Sequence, residues 1–421
     1  MSQTLALLGG PKAAATDPEP IIKWPLITDE DEAAVLEVLR AGNMSGTDVS
    51  KEFEKEFGQW IGMPYCLAHC NGTAALQAAM FGCEIGVGDE LLCPSMTYWA
   101  SALQTYALGA TPVFVDIDPD TLCIDPADIE RWLSPKTKAV MVVHYAGYPC
   151  DMDVILPVAE EYNLKVIEDV SHAHGTLYKG RKVGTFGHVA AMSCMSGKSF
   201  VASELGMLIT CDEYIYERAI AYGHYARHGD LTDPRLTPYA GYPMGGVKYR
   251  ANQLASALGR SQLRHYDERV AEIQKAMNYF WDLLEGVPGI RAHRPPKDSG
   301  STMGGWYAAK GLYRCEELGG LDIEKFCEAV RAEGVATAPG ANKPMHIHPV
   351  LNECDIYGHG KPTRIAHSER DVRQAPESLP VALNSHTICF SIPWFKRCDK
   401  PIIEEQAAAF RKVAENADQL L

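Results

Sequence analysis

LKVIEDVSHAHGTLYKGRKVGTFGHVAAMSCMSGKSF, residues 164–200, holds two short apolar runs separated by a polar stretch punctuated with glycine. The first run ends on Asp169, and the second, AAMSCM, is followed within a few residues by Lys198. Apolar runs of about four to eight residues bounded by turn residues suit strands buried on both faces of a parallel sheet. Outward from this stretch, the same pattern predicts strands at Cys66–His69, Leu91–Pro94, Val113–Asp116, Ala139–His144, Lys165–Glu168, Ala190–Cys194 and Met207–Thr210. Between them lie amphipathic segments, Ala74–Met80, Ser101–Leu108, Pro126–Leu133 and Asp153–Tyr162, each long enough to cross a sheet face. The expected fold is therefore α/β, with a seven-stranded, mostly parallel sheet.

At 421 residues the chain exceeds what one core usually holds, so a large domain, 1–285, and a smaller C-terminal α+β domain, 286–421, are expected. The stretch GVPGIRAHRPPKDSG supplies the boundary. Thr28 before DEDEAAVLEVLRAG, with acids in the first turn and Gly42 at the far end, marks a lead-in helix. One long helix is expected from about Asn252 to Leu284, with others at Tyr214–Tyr225, Asp322–Glu333 and from Pro401 onward. A net charge of −15 without a basic block argues against nucleic acid and anionic membranes as partners, since both demand clustered cations. The start, MSQTLALLGGPKAAA, lacks a charged segment followed by a long apolar one, and no stretch approaches the ~18 apolar residues of a membrane span. A cytoplasmic protein is expected. The thirteen cysteines are odd in number and several lie in apolar runs, which suits reduced thiols; none has zinc spacing, so no metal is expected.

Five features fall in order at the carboxyl ends of the expected strands, where open α/β sheets bind ligands. Asn71-Gly72-Thr73 opens a helix, and its amides with the Thr73 hydroxyl would suit a phosphate, although such a turn is also ordinary capping chemistry. Tyr98 can cover a planar ring or pack with Trp99. Asp169 ends its strand directly and precedes His172, which can orient a ring oxygen or the carboxylate; alternatively Asp169 caps the next helix. Ser193 can add a hydroxyl to the phosphate or merely sit in a buried strand. Lys198 follows a core strand, where a lysine taken alone also suits a solvated surface, as Lys179 and Lys182 do. A lysine amine that attaches to an aldehyde, and a carboxylate that keeps a pyridine nitrogen protonated, are the requirements of pyridoxal 5'-phosphate chemistry.

With these residues in place, the chain resembles the sugar and cyclitol aminotransferases of the DegT/StrS class, a branch of the fold-type I pyridoxal phosphate enzymes. The resemblance runs through LGGPKA, Trp24-Pro25, NGTAAL, GDELLCPSMTYWASA, GATPVFVDIDPDTLCIDP, HYAGYPCDMD, VIEDVSHAHGTLYKGRKVGTFG and SCMSGKSF. It implies Lys198 as the attachment point and proton carrier, Asp169 as partner of the pyridine nitrogen, and His172 near the phenolic oxygen. It further implies Gly72, Thr73 and Ser193 around the phosphate and Tyr98 against the ring. In KYRANQLASALGRSQL, Lys248 stands where the family commonly has an asparagine reaching the phosphate of a neighbouring subunit, which implies a homodimer with shared sites. Two features depart from the pattern: Ser203 and Leu205 replace glycines in ASELG, and no acid lies near Leu383. His346 and His348 resemble a substrate loop and are equally consistent with structural histidines.

The implied reaction moves an amino group from L-glutamate or L-glutamine to a keto sugar or keto cyclitol, such as a scyllo-inosose-like ketone, in antibiotic or polysaccharide biosynthesis. Two alternatives are a sugar dehydratase using the same cofactor, whose members generally lack this lysine, and a non-catalytic regulator. A nicotinamide enzyme is disfavoured because no G-x-G-x-x-G follows the first strand.

Overall fold

The computed structural model describes residues 4–421; residues 1–3, with which the expected large domain begins, lie outside the described part. All seven expected strands form. They are β1 (Tyr65–His69), β2 (Glu90–Pro94), β3 (Thr111–Val115), β4 (Thr137–Val143), β5 (Lys165–Asp169), β6 (Val189–Ser193) and β7 (Gly206–Thr210). They join in one sheet of order β1-β7-β6-β5-β4-β2-β3. Pairing is parallel from β3 through β6, and β7 runs antiparallel to both β6 and β1. Because β6 and β7 are antiparallel neighbours, the connection that carries Lys198 stays at the carboxyl end of β6.

Local chemistry explains the flanking helices. Thr28 and Asp31 form a reciprocal capping box at the start of α1 (Asp29–Ala41), and Gly42 closes it at a φ of 69°. Then come α2 (Asp48–Ile61), α3 (Gly72–Gly82), α4 (Met152–Glu161) and α5 (Glu213–Gly223). The expected continuous helix at 252–284 is instead two, α6 (Gln253–Arg264) and α7 (Tyr266–Leu283), parted at His265. The passage between apolar clusters comes later, within α7. Ala255, Tyr266 and Val270 pack in the cluster around the sheet, whereas Ile273, Met277, Phe280 and Trp281 pack in a second cluster. The expected helix at Ser101–Leu108 is likewise two short ones, Ala100–Leu103 and Thr105–Leu108.

The second cluster surrounds a three-stranded antiparallel sheet, β8 (Ile290–Ala292), β9 (Lys310–Tyr313) and β10 (Cys389–Ser391), with α8 (Ile323–Ala332) and α9 (Lys400–Glu415). A division at 285/286 remains our proposal for the domains, and the clusters interleave across it. Leu5, Ala14 and Ile21 pack in the second cluster, while Met345, Leu351, Ile365, Val372, Leu379 and Ala382 return to the first. That returning segment covers the open edge of the large sheet. The Gln374 side-chain amide pairs with both the N–H and the C=O of Phe114 on β3, as a neighbouring strand would. Buried Arg364 anchors it with hydrogen bonds to the carbonyls of Pro112 (2.9 Å) and Val372 (3.1 Å).

Candidate active site

The site forms at the carboxyl ends of β1, β2, β5 and β6, where strand alternation sends Asp169 and Glu168 to opposite faces. Asp169 ends β5 and is 5% exposed. Its Oδ2 accepts a hydrogen bond from Ser101 Oγ at 2.7 Å, and its Oδ1 accepts from the Ser171 N–H at 3.0 Å. Glu168, fully buried on the other face, accepts from Gly184, Phe186 and Gly187 N–H groups and from His144 Nε2 at 2.9 Å. Burial alone would raise Glu168, yet the His144 hydrogen bond and the amides hold it below the usual carboxylate range. It ties the 184–187 turn to the strand that presents Asp169.

Lys198 is 8% exposed, and its Nζ stands 4.1 Å from the centre of the Tyr307 ring. Burial pushes its ammonium down to about 8 against the opposing pull of Asp169, so a sizeable neutral fraction exists near neutrality. The loop that carries it is braced at several points. Cys194 N–H donates to Leu205 O at 2.7 Å, Ala202 N–H to Cys194 O at 2.8 Å, and Trp24 Nε1 to Lys198 O at 2.8 Å. Ser203, where a glycine was expected, adopts a φ of 58°, the left-handed conformation glycine takes at least cost. Leu205 is buried and Gly206 is kept; a Cβ at Gly206 would lie 2.3 Å from Asn71 O.

The structure gathers the other expected residues around this pair. Asn71 caps α3 through Ala74 N–H at 2.8 Å, leaving the amides of Gly72 and Thr73 at the helix start. A Cβ on Gly72 would lie 2.6 Å from Ser193 Cβ and 2.8 Å from Ser193 N, so only glycine lets the turn close onto β6. This cradle of amides and hydroxyls beside a strand-end carboxylate and a buried lysine fits pyridoxal 5'-phosphate in phosphate, ring nitrogen and aldehyde alike. Tyr98 is 50% exposed and tilted against Trp99 at 4.9 Å, so it is not a core aromatic. His172 Nδ1 accepts from Ala146 N–H at 3.3 Å, which leaves the proton of a neutral ring on Nε2. Burial and the nearby Lys198 ammonium hold His172 well below its ordinary value, and its ring lies 4.8 Å from Tyr307.

His346 is a structural histidine: Nε2 donates to Pro376 O at 3.0 Å, so Nδ1 accepts from Ser95 Oγ at 2.6 Å. His348 accepts from Val350 N–H at 3.3 Å and caps a short helix. Lys248 is exposed, on a segment whose Tyr249 carbonyl accepts from Cys70 N–H at 2.7 Å, beside the phosphate turn. Near Leu383 the carboxylate comes from elsewhere: Asp116 accepts from the Val381 and Ala382 N–H groups at 3.0 and 2.7 Å. Sequence reasoning missed Glu168, Ser101, Thr97, Ser171 and Tyr307. Of these only Glu168, a charge inside a core strand, carried a signal that could have found it.

A lysine, a carboxylate and a phosphate cradle in this arrangement, on this sheet order, define a pyridoxal phosphate enzyme of the aminotransferase type. The chain belongs to the DegT/DnrJ/EryC1/StrS aminotransferase family, whose profile matches residues 25–388. It is a pyridoxal phosphate-dependent aminotransferase. The chain is 33% identical to GDP-perosamine synthase of Caulobacter vibrioides over 345 residues, 79% of this chain and 89% of that one. It is 31% identical to L-glutamine:2-deoxy-scyllo-inosose aminotransferase of Streptomyces kanamyceticus over 340 residues, 78% of this chain and 79% of that one. An aminotransferase structure from Psychrobacter cryohalolentis superposes with a TM-score of 0.80 at 28% identity, covering 95% of this chain and all of that one. Among the described residues, no helix is long and apolar enough to cross a membrane.

Proposed function

We propose that this enzyme moves an amino group from L-glutamate or L-glutamine to the ketone of a sugar or cyclitol. The observation that carries the reading is Lys198, a buried amine with no hydrogen bond or ion pair among the described residues, beside the carboxylate of Asp169. When bound, the cofactor supplies an electron-withdrawing ring that stabilises a carbanion. Asp169 would face the ring nitrogen and hold its proton. Gly72, Thr73 and Ser193 would hold the phosphate, Tyr98 would cover the ring, and His172 Nε2–H would donate toward the ring oxygen. Lys198 would hold the aldehyde and would serve as the base that carries the proton from the donor α-carbon, a transfer worth about 10²–10⁴-fold. Relatives that act on a nucleotide-linked sugar and on a cyclitol, at 33% and 31% identity, support the acceptor class. The presence of Lys198 favours transamination over dehydration. A screen of amino donors against keto sugars and keto cyclitols, following the absorbance of the bound cofactor, tests the reading; an absorbance that no amino donor removes would refute it.

The composite site is part of the same proposal: exposed Lys248 reaches the phosphate of a second copy in a homodimer with shared sites, working in the cytoplasm. A cation at a phosphate already held by a helix start adds charge pairing. Mixing Lys198→Ala with Lys248→Glu chains should restore activity, up to about half of wild type per heterodimer by two-fold symmetry. With chain exchange confirmed, no recovered activity would mean that Lys248 serves its own subunit or none, and the shared site would fail.

A further inference from the structure

We infer that Thr97 and Ser101 form a directed hydroxyl relay that positions Asp169, which makes Ser101 a positioning residue for the reaction. The inference rests on the proposed role of Asp169 toward the ring nitrogen. Ser101 Oγ lies 2.7 Å from Asp169 Oδ2, and Thr97 Oγ1 lies 2.8 Å from Ser101 Oγ. An ionised carboxylate has no proton to give, so Ser101 spends its only proton on Asp169. The Thr97 hydroxyl must then donate to Ser101, and both protons point toward the carboxylate. The second oxygen, Oδ1, is held by Ser171 N–H at 3.0 Å, and Ser171 Oγ in turn accepts from Ser193 N–H at 3.0 Å.

Asp169 is thus gripped at both oxygens from two directions, the loop after β2 and the turn after β5, and its carboxylate cannot rotate without breaking a bond. Thr97 is 2% exposed and Ser101 is fully buried. Burying two hydroxyls is unfavourable unless each is satisfied, and here the carboxylate is what satisfies them. The root of the relay is fixed as well. Met345 N–H donates to Ser95 O at 2.7 Å and His346 holds Ser95 Oγ, so the segment that covers the sheet edge also sets the loop bearing Thr97. Without the Ser101 hydroxyl, Asp169 keeps only its Oδ1 anchor and can turn away from the proton it holds on the ring nitrogen.

The test uses full-length protein loaded with pyridoxal phosphate labelled with ¹⁵N in the ring, which reads the nitrogen's protonation directly. Ser101→Ala should move the ring-nitrogen resonance toward that of neutral pyridine and slow turnover by about tenfold or more, the scale of one hydrogen bond to a charged group. Ser101→Thr, which keeps a hydroxyl, should return the resonance to its wild-type position. Thr97→Val, matched in shape, should shift it the same way by less. An unmoved resonance in Ser101→Ala would overturn the relay, and so would a Ser101→Thr variant as perturbed as the alanine one. Should Ser101→Ala not fold, an unmoved resonance in Thr97→Val overturns it instead. Asp169→Asn separates the two ideas: no shift there refutes the role of Asp169, whereas a shift there with none in Ser101→Ala refutes the relay alone.

Discussion

Lys198 and Lys396 are both buried among aromatic rings, 8% and 5% exposed, yet of the two only Lys198 has an amine without a hydrogen bond among the described residues. Lys396 Nζ donates to Trp394 O at 2.7 Å and to Ile22 O at 3.2 Å, and lies 3.6 Å from the Trp394 ring. Its backbone N–H bonds Ile21 O at 2.7 Å, so the residue clasps the N-terminal segment onto the second cluster. Burial pushes its ammonium down to about 7, while burial opposed by Asp169 leaves Lys198 at about 8. The lysine with the lower value is the one held by carbonyls, and we propose that it is the unreactive one. Both amines lie over a ring face, so what separates them is that the amine of Lys396 is committed to carbonyls and that of Lys198 is not.

The largest expected effect breaks or keeps this distinction outright. Lys198→Ala should abolish covalent attachment of the cofactor and measurable turnover. Borohydride reduction of the wild-type holoenzyme followed by peptide mapping should label Lys198 alone, and a label on Lys396 would end the comparison.

Asp169→Asn comes next. Cofactor should still bind, and turnover should fall by orders of magnitude as the ring nitrogen loses its charged partner. The same change removes the pull that keeps Lys198 above Lys396, so the pH at which apoprotein captures pyridoxal phosphate should move down. In wild type the capture rate should climb about tenfold per pH unit below about 8 and level above it, because the neutral amine is the nucleophile. A profile that keeps rising toward the ~10.4 of an ordinary lysine would contradict the burial of Lys198.

Smallest is the effect at the clasp. A lysine whose folded value lies below its unfolded value destabilises the fold at low pH, and that penalty is relieved as pH rises from about 7 toward ~10.4. Lys396→Met should therefore flatten the alkaline gain in thermal stability. It should also cost about 1–2 kcal/mol near neutrality, since the Ile22 and Trp394 carbonyls lose their donor. The borohydride label should stay on Lys198. Thermal melts across pH 6–10 read both.

Much of the lysine region was legible without coordinates. Apolar runs bounded by turn residues marked all seven strands, because a strand buried on both faces has little room for polar side chains. Asp169 and Lys198 stood out through their company, in order at strand ends with the Asn71-Gly72-Thr73 turn and Tyr98; alone, either charge has an ordinary structural reading. The helix expected at 252–284 was misjudged at His265, since its apolar periodicity continues across the break, with Ala255 before it and Tyr266 and Val270 after it packed in one cluster. His346 was ambiguous for a similar reason: nothing in KPMHIHP announces that Ser95 and Pro376 will take both ring nitrogens.

By itself, then, the sequence determined where the seven strands lie along the chain, the lysine and the carboxylate at strand ends, and the glycine turn after the first strand, all of which depend on residues close in the chain. Only the tertiary structure decided that the Tyr307 ring lies against Lys198, that Ser101 and Thr97 brace Asp169, and that Lys396 is a clasp rather than a second reactive amine. These contacts join residues far apart in sequence, and a hydroxyl, an aromatic ring or an amine shows no sign in the chain of which distant group will satisfy it; that is settled by the packing of elements whose geometry the whole fold imposes.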